Sequence, residues 1–324
     1  MSLTIEKGHS LWSDAYQRLK KNRAAVLSAV ILAIIFFICL VVPFIPNLLQ
    51  DPNESNLLDR NLKPSAQHWL GTDQLGRDLL ARLIFGGRIS IAVGIVTTIV
   101  AVVIGVVWGA VAGYGSKRMD AILMRTVDIL YAMPFLVIVI LIGKILQERT
   151  EVLTEWAVQL VLSEGASAED DNRVRTWLEP LCSLVPLFIA IGALSWLTIS
   201  RIVRAQVQNV KKLEFVEAAR SLGISDFRIL FRHILPNTVG PIVVYATMTI
   251  PSIMLFEATL SFLGLGIKAP NSSWGVLIKE GADIMTVNPS LIIFPGVIFA
   301  MTLQCLNYLG DGLRDALDPK SSKD

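Results

Sequence analysis

Long apolar segments alternate with shorter polar ones along most of the 324-residue chain. An apolar segment of about 18 residues or more is long enough to cross a bilayer as one helix. Six segments reach this length, at roughly 24–45, 89–113, 126–146, 181–200, 239–264 and 291–309. Several contain proline, which membrane helices tolerate where neighbouring helices satisfy the freed backbone groups. The pattern therefore predicts an all-α polytopic membrane protein with six transmembrane helices.

Composition agrees with this class. Hydrophobic residues make up 53% of the chain and charged residues 17%, against about 25% charged residues in an average soluble protein. The first apolar segment begins too late and is too long for a cleavable signal peptide, so we expect it to remain as a membrane helix. The three cysteines and three histidines show no metal-ligand spacing, so we expect no metal site. Basic residues are scattered among acids, so we expect no nucleic-acid partner.

The basic residues also predict an orientation. With a cytoplasmic N-terminus, the inner segments hold eighteen lysines and arginines and the outer loops hold ten. Cytoplasmic loops carry the excess of basic residues, so we expect both termini in the cytoplasm. The predicted divisions are a cytoplasmic segment at 1–23, a first span with its external loop at 24–88, a five-span core at 89–310 and a cytoplasmic tail at 311–324. Within the core lie a long cytoplasmic loop at 201–238 and an outer segment at about 147–179.

The second predicted span carries three glycines at intervals of four residues, Gly105, Gly109 and Gly113. Helices in lipid associate by close packing, and small residues at every fourth position let two helix backbones approach each other. We therefore expect this strip to be a helix-packing surface within a bundle.

The long cytoplasmic loop contains a charged segment, EFVEAARSLGISDFRILFRHILPN, at residues 214–237. Its first part has apolar residues at helical spacing, at Phe215, Ala218, Ala219 and Leu222. Gly223 then breaks this helix, and Ser225 is suited to cap a second helix, which Pro236 is expected to end. The second helix has its own apolar residues at 227, 230, 231 and 234. We call residues 214–234 the knob.

Two interpretations of the knob follow from the pattern alone. It could dock into a groove of a partner protein, with its charged residues in water. It could instead lie on the inner leaflet as an amphipathic hairpin whose arginines contact lipid phosphates.

The knob resembles the EAA loop of ABC-importer permeases. The likeness rests on Glu217-Ala218-Ala219, on Gly223, and on Ile234-Leu235-Pro236. In that family the loop docks into a cleft of a separate cytoplasmic ATPase. The resemblance implies that Glu217 and the alanine pair face the ATPase and that Gly223 forms the turn. The docking set implied in full is Glu217, Ala218, Ala219, Arg220, Gly223, Ile234 and Pro236.

A second resemblance narrows the family. Residues 71–78 read GTDQLGRD, which is similar to the signature before the second span of dipeptide, oligopeptide and nickel permeases of the C type, which have an extra N-terminal span. The signature residues here are Gly71, Thr72, Asp73, Gly76, Arg77 and Asp78. LSFLGLG at 260–266, SWG at 273–275 and LGDGLRDALDP at 309–319 look like further blocks of the same subfamily. The likeness covers nearly the whole chain and implies a type I ABC-importer permease fold, with the segment at 147–179 longer than usual.

The chain has no GxxxxGK[ST] phosphate-binding loop and no GxSxG or HExxH motif. We therefore expect no enzyme activity and no cofactor in this chain, with ATP and Mg²⁺ bound by partner subunits. The resemblance implies a homologous B-type permease, two cytoplasmic ATPases, an extracytoplasmic solute-binding protein and membrane lipids as partners, in a bacterial inner membrane. Peptides fit the family best, while nickel or another small solute stays open. An ion-coupled secondary transporter and a non-transporting scaffold are more distant alternatives.

Two further features allow two interpretations each. Glu257, near the outer end of the fifth span, could line the transport pathway, or it could hold the LSFLGLG turn through a hydrogen bond. In the outer segment, apolar residues at 152, 153, 156, 157, 160 and 161 predict one face of a helix. This helix could rest on the outer leaflet or on a docked binding protein, or it could be a tolerated insertion.

Overall fold

A computed structural model describes residues 11–45, 48–161, 174–175, 178–179, 181–269 and 271–317. Regular structure in these residues is helical, apart from one isolated bridge between Thr72 and Asp78. The helices are α1 (Leu11–Lys21), α2 (Arg23–Val41), α3 (Leu79–Tyr114), α4 (Lys117–Ala132), α5 (Phe135–Gln147), α6 (Thr150–Val161), α7 (Val185–Val210), α8 (Glu214–Ser221), α9 (Asp226–Phe262), α10 (Trp274–Asp283) and α11 (Ser290–Leu317).

Five of these helices are long and apolar enough to cross a membrane, namely α2, α3, α7, α9 and α11. Helices α4 and α5 pass the same test together, although they meet at 88°. The predicted all-α polytopic fold is therefore confirmed, with the bent α4–α5 pair as the candidate for the sixth span.

The packing of α3 against α7 shows why the bent pair must cross. A Cβ on Gly105 would lie 2.7 Å from Ile199, one on Gly109 2.8 Å from Val203, and one on Gly113 2.9 Å from Val207. The residue numbers of the contacting positions increase together along α3 and α7, so the two helices run in the same direction. The chain must return across the bilayer between two parallel spans, and among the described residues between them the α4–α5 pair is the one that passes the span test.

The same distances describe how the glycine strip packs. Each glycine faces α7 with no room for a side chain, and the backbone oxygens of Ser200 and Arg204 lie beside Gly109 and Gly113. The α3–α7 pair forms the centre of the larger apolar core, which also includes Val216 and Ile234 of the knob. A second core joins α2, α3, α10 and α11 around the fully buried Trp274.

Several predicted boundaries are wrong. The second span begins at Leu79 rather than 89, because the Asp78 side chain accepts a hydrogen bond from the Ala81 backbone N–H and caps α3 there. The division at 88 therefore falls inside α3, and the division at 310 falls inside α11. The cytoplasmic loop predicted at 201–238 includes the end of α7, which continues to Val210, and the start of α9 at Asp226.

Both described chain ends lie at the same end of the bundle. Gly312 of α11 lies against Ala25 of α2 and Leu19 of α1, and Leu317 reaches Gly240 near the start of α9. The C-terminal end of α3 and the knob also lie there, because the Tyr114 hydroxyl is 2.5 Å from an Asp226 carboxylate oxygen. We call this the knob end of the bundle, and the opposite end the loop end.

Candidate functional site

The knob consists of two helices that meet at a tight turn. Gly223 has φ +75°, a conformation that side chains other than glycine rarely adopt, and its backbone N–H donates to the Arg220 carbonyl. The Ile224 backbone N–H donates to Ala219 across the same turn, which closes α8. Ser225 precedes α9 in an extended conformation, but its side chain makes no capping hydrogen bond. The predicted turn at Gly223 is thus found, without the predicted side-chain cap.

One face of the knob packs on its own chain. Val216, Ala219, Ile229 and Ile234 are buried there, with exposures between 0% and 5%. The prediction that both alanines face outward is therefore wrong for Ala219, and Ile234 likewise supports the knob from inside. These two side chains lie within the bundle because α8 and the start of α9 rest on the ends of α3 and α7.

The other face of the knob is exposed and apolar. Glu217 and Ala218 lie on it, together with four large side chains that are 41–80% exposed: Phe215, Leu222, Phe227 and Phe231. The rings of Phe227 and Phe231 lie 4.4 Å apart. The sequence pattern predicted these four as parts of the helices' apolar stripes, but it could not show that they point away from the bundle. None of these four residues belongs to the predicted docking set.

Tyr114, the last residue of α3, connects both halves of the knob to the bundle. Its hydroxyl lies 2.5 Å from Asp226 Oδ1 and 3.4 Å from Arg220 Nη2, on either side of Gly223. Lys211 donates to the Tyr114 carbonyl at 2.6 Å and lies over its ring. The hydrogen bond to Tyr114 raises the pKa of the Arg220 guanidinium. The partners of Tyr114 lie about a hundred positions away, so no local pattern indicated this role.

Pro236 does not end the second knob helix, contrary to the prediction. The helix continues through it as α9, from Asp226 to Phe262, with a π turn at Leu230–Ile234. In that turn the Leu235 backbone N–H donates five residues back, to the Leu230 carbonyl. A proline inside a helix lacks an N–H and clashes with the carbonyl four residues earlier, and a wider turn relieves this clash. The second helix of the knob is therefore a continuous extension of the fifth span.

The signature at 71–78 forms a polar cluster at the loop end. Asp73 accepts from Arg77 Nε and Arg82 Nη1, both at 2.7 Å, and from the backbone N–H groups of Leu75 and Arg77. Arg82 also binds both carboxylate oxygens of Glu280 on α10, at 2.5 and 3.2 Å. We call Asp73, Arg77, Arg82 and Glu280 the outer cluster. It joins the loop before α3 to the helix between the fifth and sixth spans.

The remaining signature residues shape the same loop. Gly71 and Gly76 both have positive φ, and a Cβ on Gly76 would collide with the Asn56 backbone. The Thr72 hydroxyl accepts from the Leu62 backbone N–H and donates to the Asp59 carbonyl. Asp78 caps α3 and lies 3.0 Å from His68 Nδ1. The signature therefore builds one fixed turn.

Glu257 is fully buried within this chain. Its Oε1 accepts hydrogen bonds from Ser261 and Ser273, both at 2.7 Å. Ser273 caps α10, and the adjacent Trp274 donates to Ser90 and to the Leu83 carbonyl on α3. This geometry matches the predicted alternative in which Glu257 holds the turn through hydrogen bonds.

The outer segment has the helix that the pattern predicts. α6 buries Thr154 and Val158, while Val152, Trp156 and Leu160 of the predicted apolar face are 60–72% exposed. Arg175 binds Glu155 at 2.7 Å and lowers the pKa of that carboxyl. Residues 162–173 and 176–177 of the segment lie outside the described residues. Whether a leaflet or a protein covers the exposed face stays a prediction.

Comparison with known proteins identifies the family. Residues 105–323 match the family described as "Binding-protein-dependent transport system inner membrane component". The chain belongs to this family. Residues 10–64 also match the "N-terminal TM domain of oligopeptide transport permease C". The match accounts for the extra first span that the sequence predicts, and it makes the chain a multi-pass membrane component of a binding-protein-dependent transport system.

Relatives of this transport family align along nearly the whole chain. The oligopeptide transport system permease protein OppC of Haemophilus influenzae is 40% identical over 97% of this chain and 90% of its own length. The dipeptide transport system permease protein DppC of Bacillus subtilis is 37% identical over 96% and 86%. The glutathione transport system permease protein GsiD of Pectobacterium atrosepticum is 34% identical over 95% and 91%. The resemblance to C-type permeases is thereby confirmed.

Proposed function

We propose that this chain is one of the two membrane subunits of an ATP-driven importer of peptides. Oligopeptides, dipeptides and glutathione are all peptides, and they are the cargoes in the names of the three relatives. This agreement favours a di- or oligopeptide as cargo over nickel or another small solute.

The exposed face of the knob is the observation that carries the proposal. A cluster of Phe215, Leu222, Phe227 and Phe231 on a charged two-helix protrusion is costly in water, so it calls for a partner surface. An ATPase cleft that receives this face, with Glu217 and Ala218 at its edge, fits the exposed set. A second, homologous B-type permease and a second ATPase complete the complex, with ATP and Mg²⁺ on the ATPases. An extracytoplasmic binding protein delivers cargo at the loop end, and the knob end with both termini faces the cytoplasm.

The geometry supports a lever-like coupling. The second helix of the knob is the start of α9, and Tyr114 ties the knob to α3, so displacement of the knob acts on two spans at once. Closure of the ATPase pair would then rock the spans between inward-open and outward-open arrangements, as rigid bodies turning about their interfaces. An ion-coupled carrier, in contrast, does not require an exposed apolar docking surface for a separate cytoplasmic subunit.

The knob variants Gly223→Pro and Glu217→Lys test the proposal. Proline cannot adopt the positive φ of residue 223, and lysine reverses a charge on the docking face. We expect each change to lower peptide uptake tenfold or more, while the amount of the chain in the membrane stays normal. The measurement is uptake of a radiolabelled tripeptide by cells that express the whole transporter.

The matched control is Glu151→Lys, the same charge reversal on the outer helix α6. We expect it to leave uptake within about twofold of the unaltered chain, since surface substitutions have small effects. Normal uptake by both knob variants, or uptake that persists with ATPases unable to hydrolyse ATP, would contradict the proposal.

A further inference from the structure

The bend between α4 and α5 opens a cavity in the middle of the bundle. The cavity has a volume of about 460 Å³, within the usual range for small-ligand sites. Residues from the end of α4, the start of α5 and the central turns of α7 and α9 line it. It reaches the depth of the first glycine of the strip, because Ile199 lines the cavity and also lies against Gly105.

A helix break at membrane depth needs polar surroundings. The last carbonyls of α4 lose their helical partners at Met133, and Pro134 has no N–H to offer. Non-helical backbone at this depth is tolerated only where protein buries it or where it lines a water-filled cavity. Leu130, Tyr131 and Met133 line the cavity, and Tyr131 and Met133 are 52% and 48% exposed, so the break borders the open space.

The cavity wall offers hydrogen-bond acceptors and no ionic groups. Its polar side chains are hydroxyls, on Tyr131, Ser195, Thr198, Tyr245, Thr249 and Ser252. Ser195, Thr249 and Ser252 donate their hydrogens to carbonyls of their own helices, so their oxygens stay available as acceptors. Tyr245, Thr249, Ser252 and Phe256 follow one another at intervals of four, three and four residues, which places them on one face of α9.

Specific contacts flank the cavity on both sides. Phe135 and Phe256 meet edge to face at 4.4 Å towards the loop end. Towards the knob end, Arg201 binds Asp128 at 2.7 Å and stacks over the Tyr131 ring. Arg204 binds Asp120 one turn further along, at 2.5 and 2.6 Å. These ion pairs join α7 to α4.

We propose that this cavity is this chain's part of the peptide passage and that it contacts main-chain N–H groups of the cargo through hydroxyl and carbonyl oxygens. The inference rests on the proposed peptide import. Acceptors in the wall match the one donor that nearly every peptide residue carries. The wall holds no charge to attract or repel a cargo side chain, so this part of the passage is indifferent to cargo sequence.

Cysteine labelling in membranes tests whether the α9 stripe faces water. The native cysteines Cys39, Cys182 and Cys305 are buried, so the unaltered chain gives a low background. We expect Ser252→Cys to react with a membrane-impermeant methanethiosulfonate, and excess tripeptide to slow the reaction at least threefold. The control is Val96→Cys, an exposed site on α3 outside the cavity and close to the depth of Ser252, since Gly94 packs against Ile250 and Met254. No reaction at residue 252, or equal reaction at 252 and 96, would overturn the inference.

A charge placed in the wall tests the indifference to cargo sequence. We expect Ser252→Asp to raise uptake of a lysine-containing tripeptide relative to a glutamate-containing one by about tenfold, since charges interact strongly in partly dehydrated sites. The ratio of lysine-peptide uptake to glutamate-peptide uptake is compared between the variant and the unaltered transporter. The selectivity of the binding protein contributes equally to both ratios and therefore cancels. An unchanged ratio would overturn the inference. Absence of peptide uptake by the unaltered transporter would instead overturn the proposed function.

Discussion

At the scale of single residues, contacts distant in sequence decide the roles. Tyr114 touches residues on both sides of the Gly223 turn, and Glu257 holds two serines of the outer turn. Sequence reasoning offered two roles for Glu257, because a carboxylate in a span fits either a pathway or a hydrogen-bonded turn. It offered none for Tyr114, because nothing within a few residues of Tyr114 contacts its hydroxyl.

Removing the Tyr114 hydroxyl should weaken coupling without unfolding the chain. Tyr114→Phe keeps the ring and its contact with Lys211 but loses the hydrogen bonds to Asp226 and Arg220. A hydrogen bond to a charged group at an exposed site contributes about 1 kcal/mol, which corresponds to roughly fivefold. We expect the number of ATP molecules hydrolysed per peptide imported to rise several-fold in reconstituted vesicles.

Tyr16→Phe on α1 is the control for Tyr114→Phe, since the ring of Tyr16 also contacts a lysine. It should leave the ratio of ATP to peptide unchanged. A Tyr114→Phe transporter with unchanged ratio and rate would show that the hydroxyl takes no part in coupling.

At the scale of helices, the sequence predicted what depends on local spacing. Apolar length predicted the spans, and the interval of four predicted the glycine strip on α3. The buried face of α8 could not be predicted, because Phe215 with Leu222 and Val216 with Ala219 both fit helical spacing. The continuity of α9 was missed because Pro236 normally ends or kinks a helix, whereas the π turn lets the helix absorb it.

The glycine strip should be sensitive to any added side chain. In Gly109→Leu the new side chain would collide with the Ser200 carbonyl and Val203, and overpacking of this kind costs about 1–3 kcal/mol. We expect the thermal unfolding temperature of the purified complex in detergent to fall by several degrees. Gly296→Leu on α11 is the control, because a Cβ there meets nothing within 4 Å. Equal loss in both variants would mean that leucine disturbs these helices without regard to packing.

At the scale of the whole molecule, clusters of charged and polar residues lie at both ends of an apolar helix bundle. The knob occupies one end, and the outer cluster holds the loops at the other. The sequence indicated both through their charged blocks. It could not show that Arg82 and Glu280, 198 positions apart, meet in one ion pair.

Breaking the outer cluster should destabilise the loop end. Arg82 and Asp73 have side-chain exposures of 3% and 7%, and removing one partner of a buried pair costs about 3–5 kcal/mol. We expect Arg82→Met to lower the amount of folded complex recovered from membranes several-fold. Lys279→Met removes an exposed pair with Asp283 on α10 and should have little effect. Full recovery of the Arg82 variant would show that the cluster is dispensable for assembly.

The π turn at Leu230–Ile234 fixes the rotation of the knob about the axis of α9 relative to the membrane-spanning part of that helix. Each residue of an α-helix advances by about 100° around its axis, and the π turn contains one residue more than regular winding needs. Deleting a single residue there would swing Phe227 and Glu217 by about a third of a revolution while the spanning part of α9 kept its place. The extra residue of the π turn thus determines the direction in which the exposed aromatic face points.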